Sequence, residues 1–85
     1  MPKSDSSIEV LLFARYAELF GTERIAVPAG GVTTVGDLLA HVRGLPGGTS
    51  LGAGALVAVN LRQAGPGDRV SAGDEVAILP PLAGG

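Results

Sequence analysis

The sequence contains no cysteine. That excludes a disulfide framework, a thiolate metal site and a cysteine nucleophile. Histidine occurs once, at His41, and one imidazole without nearby partners makes neither a metal centre nor an acid–base pair. Lysine also occurs once, at Lys3, so the other five cations are arginines. Charged residues are only 16% of the chain, the net charge is −2, and there is no basic run. The basic stripe of a nucleic-acid binder is therefore missing. No apolar run approaches the roughly 18–20 residues of a membrane span. The opening MPKSDSS does not read as a signal peptide. A soluble cytoplasmic protein is the expectation, with neither nucleic acid nor membrane as a partner. Glycine-rich nucleotide-binding patterns are absent too.

What is present is a short, apolar, glycine-rich chain. Its 85 residues predict one small domain. A chain of this size buries only about 60–65% of its unfolded surface, so modest stability is expected. Hydrophobic residues make up 46%, which fits a globular protein.

Alternation and helical periodicity divide the chain. Met1 to Ser7 reads as a frayed polar tail. Ile8 to Ala14 reads as a strand, with Ile8, Val10 and Leu12 on a wholly apolar face. Glu9, Leu11 and Phe13 form its other, partly solvated face. Arg15 to Phe20 predicts a helical turn stopped by Gly21. Glu23 to Val27 alternates as a second strand that ends at Pro28. Thr33 to Arg43 predicts the main helix. Thr34 and Asp37 have capping-box spacing, and Val35, Leu38, Leu39 and Val42 make one apolar stripe. Gly44 suits the C′ position after its last turn, and Pro46 forbids continuation.

Gly44 to Gly54 reads as a flexible loop. Ala55 to Asn60 predicts a third strand, Gln63 to Asp68 a turn, and Asp68 to Val70 a short strand. Ser71 to Asp74 is a tight turn, and Glu75 to Leu79 the last strand, ended by Pro80. One helix with one apolar stripe covers one face of one sheet. The expected fold is therefore α+β, a small mixed sheet under a single main helix. The domain spans residues 8–79, and residues 80–85 form a flexible tail.

Side chains offer no catalytic constellation. His41 falls off the apolar stripe of its helix. Asp74 reads as a turn residue, and Asp68 and Glu75 as solvated charges. The serines lie in the tail, the middle loop and the last turn, with no base beside them. No metal site and no bound cofactor are expected.

The chain ends LPPLAGG. Pro80 and Pro81 fix φ near −65° and project the last four residues away from the body. Gly84 and Gly85 lack Cβ atoms, so a narrow channel can close around them. The terminal carboxylate is then a chemical handle on a thin arm.

GDEVAILPPLAGG, Gly73 to Gly85, resembles the C-terminus of the MoaD/ThiS family of sulfur carriers. VLLFARYAELFG (Val10 to Gly21), TVGDLLAHV (Thr34 to Val42) and VAVN (Val57 to Asn60) resemble the same family in the same order. The Pro-Pro pair points to its molybdopterin branch. The resemblance implies a β-grasp, ubiquitin-like fold with the first and last strands in the middle of the sheet. It also implies that the terminus is the reagent. An E1-like adenylyltransferase would use ATP to adenylate the Gly85 carboxylate, and a sulfur donor protein would displace AMP to leave a thiocarboxylate. The large subunit of molybdopterin synthase would then accept the tail, Pro80, Pro81, Leu82, Ala83 and Gly84, beside cyclic pyranopterin monophosphate. The chain itself would be a non-catalytic subunit.

If the first and last strands are neighbours, Leu11 and Phe13 lie beside Ala77 and Leu79. They form an apolar patch away from the helix that suits the partner interface. Three alternatives stay open at this stage. They are a carrier for thiamine or cysteine synthesis, a ubiquitin-like protein modifier, and an interaction module with an idle tail.

Overall fold

The computed structural model describes residues 6–48, 51 and 54–81. The expected N-terminal tail up to Asp5, part of the middle loop, and Leu82 to Gly85 lie outside the described residues. Seven elements succeed one another along the chain: β1 (Ser7–Leu12), α1 (Arg15–Phe20), β2 (Arg24–Pro28), α2 (Val35–Arg43), β3 (Leu56–Val59), β4 (Arg62–Ala64) and β5 (Glu75–Leu79). The sheet order is β2-β1-β5-β3-β4. β5 is thus the middle strand. It runs parallel to β1 on one side and antiparallel to β3 on the other.

Period-2 patterning builds one dry face. Ile8, Val10 and Leu12 of β1, Val57 of β3, and Val76 and Ile78 of β5 are buried. The register places Val10 against Val76, Leu12 against Ile78, and Val57 against Ile78. Val35, Leu38 and Val42 of α2 join this core, with Tyr16, Val27, Val32, Leu51 and Val70 around them. Burying each of these side chains contributes about 1.5–3 kcal/mol.

α2 begins where the sequence places its cap. The Thr34 hydroxyl accepts from the Asp37 amide at 3.2 Å, and the Asp37 carboxylate accepts from the Thr34 amide at 3.2 Å. Such a cap is worth about 1 kcal/mol. The Thr33 amide, its hydroxyl and the Thr34 amide all donate to that carboxylate and hold the Asp37 pKa below its ordinary value. The segment Pro66–Asp68 supplies the rest of the cap. The Val35 amide donates to Asp68 O and the Gly36 amide to Pro66 O, each at 2.9 Å.

Several details depart from the sequence reading. β1 takes in Ser7, expected in the tail, and ends at Leu12 rather than Ala14, because Ala14 turns the chain into α1 at φ 54°. Pro28 is the last residue of β2 rather than its stop, because β2 is an edge strand where a proline costs no ladder bond. The turn expected over Gln63 to Asp68 begins later, since Arg62–Ala64 pairs with β3 as β4. Asn60 and Leu61, with φ of 51° and 73°, make the two-residue hairpin turn between them. Asp68 to Val70 forms no strand; Arg69 makes an isolated bridge to Thr34, and Val70 is buried. Gly44 closes α2 in a right-handed conformation, and the chain then packs back on the helix. The middle loop is accordingly not all loose: Gly48 and Leu51 are buried.

Candidate functional site

The sheet has a second face, turned away from the core cluster. Its side chains come from the alternate positions of each strand. Leu11 pairs with Ala77, and Ala77 with Ala58. Leu79 pairs with Leu56. The register continues one step to set Phe13 beside Leu79, and the Phe13 amide donates to Ile78 O at 3.3 Å. The two strands expected to be neighbours are neighbours, and Leu11, Phe13, Ala77 and Leu79 do share this face. Alternation alone does not extend the patch to Leu56 and Ala58; that requires the β3–β5 pairing.

Exposure is graded along the face. Phe13 is 43% exposed, whereas Leu11, Ala77 and Leu79 are half-buried. The apolar strip therefore opens at the C-terminal end of β5, where the tail departs. Its other end is polar: Glu9 is level with Glu75, and Arg24 pairs with Glu9 at 2.6 Å. That pair is largely exposed and contributes little to stability.

Phe13 is held at the rim by a bent backbone. Ala14 has φ 54° and ψ −128°, a conformation that costs a non-glycine residue about 1–3 kcal/mol. The bend takes the chain directly out of β1 into α1, where buried Tyr16 and the left-handed Gly21 fix the short helix.

The tail root is equally defined. Pro80 is half-buried and Pro81 exposed. Pro81 faces the end of the middle loop: a methyl added at Gly54 would come within 3.5 Å of its Cγ. The remaining tail residues named by the sequence, Leu82, Ala83, Gly84 and Gly85, lie outside the described residues. His41 is exposed on α2. Asp68 and Asp74 serve turns, accepting from the amides of Gly65 and Ser71, each at 2.8 Å. Among the described residues no cluster of three potential metal ligands occurs. No described helix is long and apolar enough to cross a membrane.

Known proteins share this geometry. A sequence profile of the ThiS family matches residues 10–85. SAMP1 from Haloferax volcanii is 33% identical, with 93% of this chain and 99% of that one covered and a TM-score of 0.78. Two more distant structures share the fold. One is from a complex of subunits 1 and 2 of the molybdopterin-converting factor of Helicobacter pylori, at 21% identity, with 93% and 99% of the two chains covered and a TM-score of 0.67. The other is Urm1 from Trypanosoma brucei, at 23% identity, with both chains covered in full and a TM-score of 0.62. A search of curated proteins gives no match. The expected β-grasp fold is what these structures share with the chain.

Proposed function

This chain belongs to the ThiS family, and on that premise we propose that it carries sulfur as a thiocarboxylate on Gly85 for molybdopterin synthesis. The observation that carries the proposal is the root of the Gly-Gly tail. It leaves the middle strand of the sheet beside a half-buried apolar strip that opens at exposed Phe13. A partner that docks on the strip receives the tail in a fixed direction.

The chemistry is that of the terminus. Carboxylate oxygen is a poor leaving group. Attack of the Gly85 carboxylate on the α-phosphorus of ATP, in an E1-like adenylyltransferase, releases pyrophosphate and leaves an acyl-adenylate. A sulfur nucleophile from a donor protein then attacks the acyl carbon and AMP departs. The thiocarboxylate sulfur is the better nucleophile for transfer to cyclic pyranopterin monophosphate. The catalytic side chains belong to the partners, and this chain binds no cofactor. The Pro80-Pro81 pair favours the molybdopterin branch. The Helicobacter pylori complex of subunits 1 and 2 supports the large synthase subunit as partner.

An intact mass of the protein, untagged at its C-terminus and purified from its own cells, tests the reading. The expected result is a species heavier by one oxygen exchanged for one sulfur, mapped to the C-terminal peptide. Only the plain carboxylate, even after incubation with the adenylyltransferase, ATP and sulfide, would falsify it. The likeness to SAMP1, a small archaeal modifier protein, favours one second reading, a modifier that forms an isopeptide through Gly85. Covalent adducts on other proteins in the same mass survey would mark that role.

The strip has its own test. Phe13→Glu places a charge at the exposed rim and removes an aromatic anchor. Binding to the large subunit weakens by about 2 kcal/mol, roughly thirtyfold in Kd. The melting temperature stays put because Phe13 is outside the core. Calorimetric titration of the natural and variant proteins measures this, and equal Kd values would remove the strip from the interface.

A further inference from the structure

The corner between β1 and α1 carries a cost that the alanine methyl does not repay within the fold. Ala14 has φ 54° and ψ −128°, the dihedrals of the first corner of a type II′ turn. The Tyr16 amide donates to Phe13 O at 3.1 Å and closes that turn. Glycine is the residue such a corner favours, because it has no Cβ to clash there. Backbone bonds on both sides hold the corner. Ahead of it, the Leu12 amide donates to Glu23 O at 2.8 Å and the Phe13 amide to Ile78 O at 3.3 Å. Beyond it, the Ala14 carbonyl accepts from the amides of Ala17 and Glu18 at 3.1 and 3.3 Å, and Tyr16 is buried. None of these bonds needs the methyl. Ala14 is exposed and belongs neither to the core nor to the side chains packed against it. Asn60 makes the contrast: its positive φ comes with side-chain bonds to Asp74 and to the Glu75 amide.

We infer that the Ala14 methyl is a binding contact: it extends the apolar strip past Phe13 and is buried by the partner that docks on the strip. The inference rests on the sulfur-carrier reading, with the large synthase subunit as that partner. A strained backbone persists where its surroundings fix it, and such strain clusters at functional positions. Ala14 directly follows Phe13, the most exposed residue of the strip, at its open end. The bonds around the corner tie both residues to β2 and β5 before any partner arrives. An alanine side chain has no rotamer freedom to lose. A methyl on a backbone already fixed therefore adds its burial to affinity with little ordering cost.

Two variants of the full chain separate the methyl from the corner. Ala14→Gly removes the methyl and suits the dihedrals. Relief of strain exceeds the freedom that glycine gains in the unfolded chain, so the melting temperature rises by about 4–8 °C. Calorimetric titration with the large synthase subunit shows Kd weakened about fourfold, the worth of one buried methyl. The second variant is made by chemical synthesis with D-alanine in place of Ala14. A D-residue favours positive φ, so this chain also melts higher. Its methyl points elsewhere, and its affinity matches that of the glycine variant. A residue with a purely structural role does not lose affinity while it gains stability. Natural affinity in Ala14→Gly overturns the inference. A lower melting temperature in that variant also overturns it, since the methyl would then serve the fold. Natural affinity in the D-alanine chain does the same, because the direction of the methyl would be immaterial. If the natural protein itself does not bind the large subunit, the partner in the carrier reading falls, and this contact falls with it.

Discussion

Removing Gly85 abolishes sulfur loading and leaves the melting temperature unchanged. The two halves of that expectation have separate causes. The last buried side chain among the described residues is Ile78, and Pro81 is already exposed. Gly85 has no side chain to withdraw from a core. The shortened chain still ends in a glycine carboxylate of the same intrinsic reactivity. That carboxylate now stops about 3.5 Å short of its former place. An adenylylation site and a sulfur-transfer site tolerate far less misplacement than that. One residue added after Gly85 fails for the complementary reason, since the carboxylate overshoots. Incubation with the adenylyltransferase, ATP and sulfide, then intact mass and scanning calorimetry, reads both quantities together. A shortened chain that takes sulfur as well as the natural one would end the carrier reading.

Gly48→Ala has the opposite profile: the fold suffers directly. Gly48 is buried against the last turn of α2. A Cβ there would run into the Val42 carbonyl oxygen and lie 2.9 Å from Arg43 Cα and 3.0 Å from its carbonyl carbon. All of these are backbone atoms, which cannot swing aside as a side-chain end can. The Gly48 amide also donates to Leu45 O at 2.8 Å and its carbonyl accepts from Leu51, so a shift here drags buried Leu51 with it. Overpacking of this kind costs about 3 kcal/mol. In a domain of this size that lowers the melting temperature by roughly 12–24 °C. Thermal unfolding monitored by circular dichroism measures it. A loss under about 1 kcal/mol would mean that the loop re-packs freely and that its close approach is dispensable.

The contrast between these glycines explains what is legible in the sequence. Gly85 stands out because a motif surrounds it. Gly48 sits in GLPGGTSLGAG, which reads as loose loop, because only the folded helix shows what approaches it. Wherever a residue's role depends on local period or capping, the reading matches the structure. α2 is capped at Thr34 and buries Val35, Leu38 and Val42. β1 and β5 bury alternate residues as expected. The four patch residues emerge from that alternation combined with the expectation that the end strands are adjacent.

Elements defined by partners escape such a reading. β4, the tripeptide Arg62-Gln63-Ala64, has no apolar alternation and exists because the Asn60-Leu61 turn folds it onto β3. Asn60 holds a usable signal, since asparagine tolerates positive φ. Its side chain also bonds to Asp74 and to the Glu75 amide. Leu61, at φ 73° and 90% exposed, gives no such hint. The docking of Val70 at the start of α2, where its amide donates to Thr33 O, joins segments far apart in the chain, which no local pattern records.

The central place of β5 ties folding to completeness. A ribosome makes this strand last, yet it lies between β1 and β3 and supplies Val76 and Ile78 to the core. A nascent chain released before β5 leaves two separate hairpins with a gap between them, and it cannot close its sheet. Such non-local pairing is slow to form, and the unfinished chain is open to proteolysis. Any copy that survives as a folded body has therefore been synthesised at least through the strand that bears the tail. The architecture works as an inspection step on synthesis as far as β5.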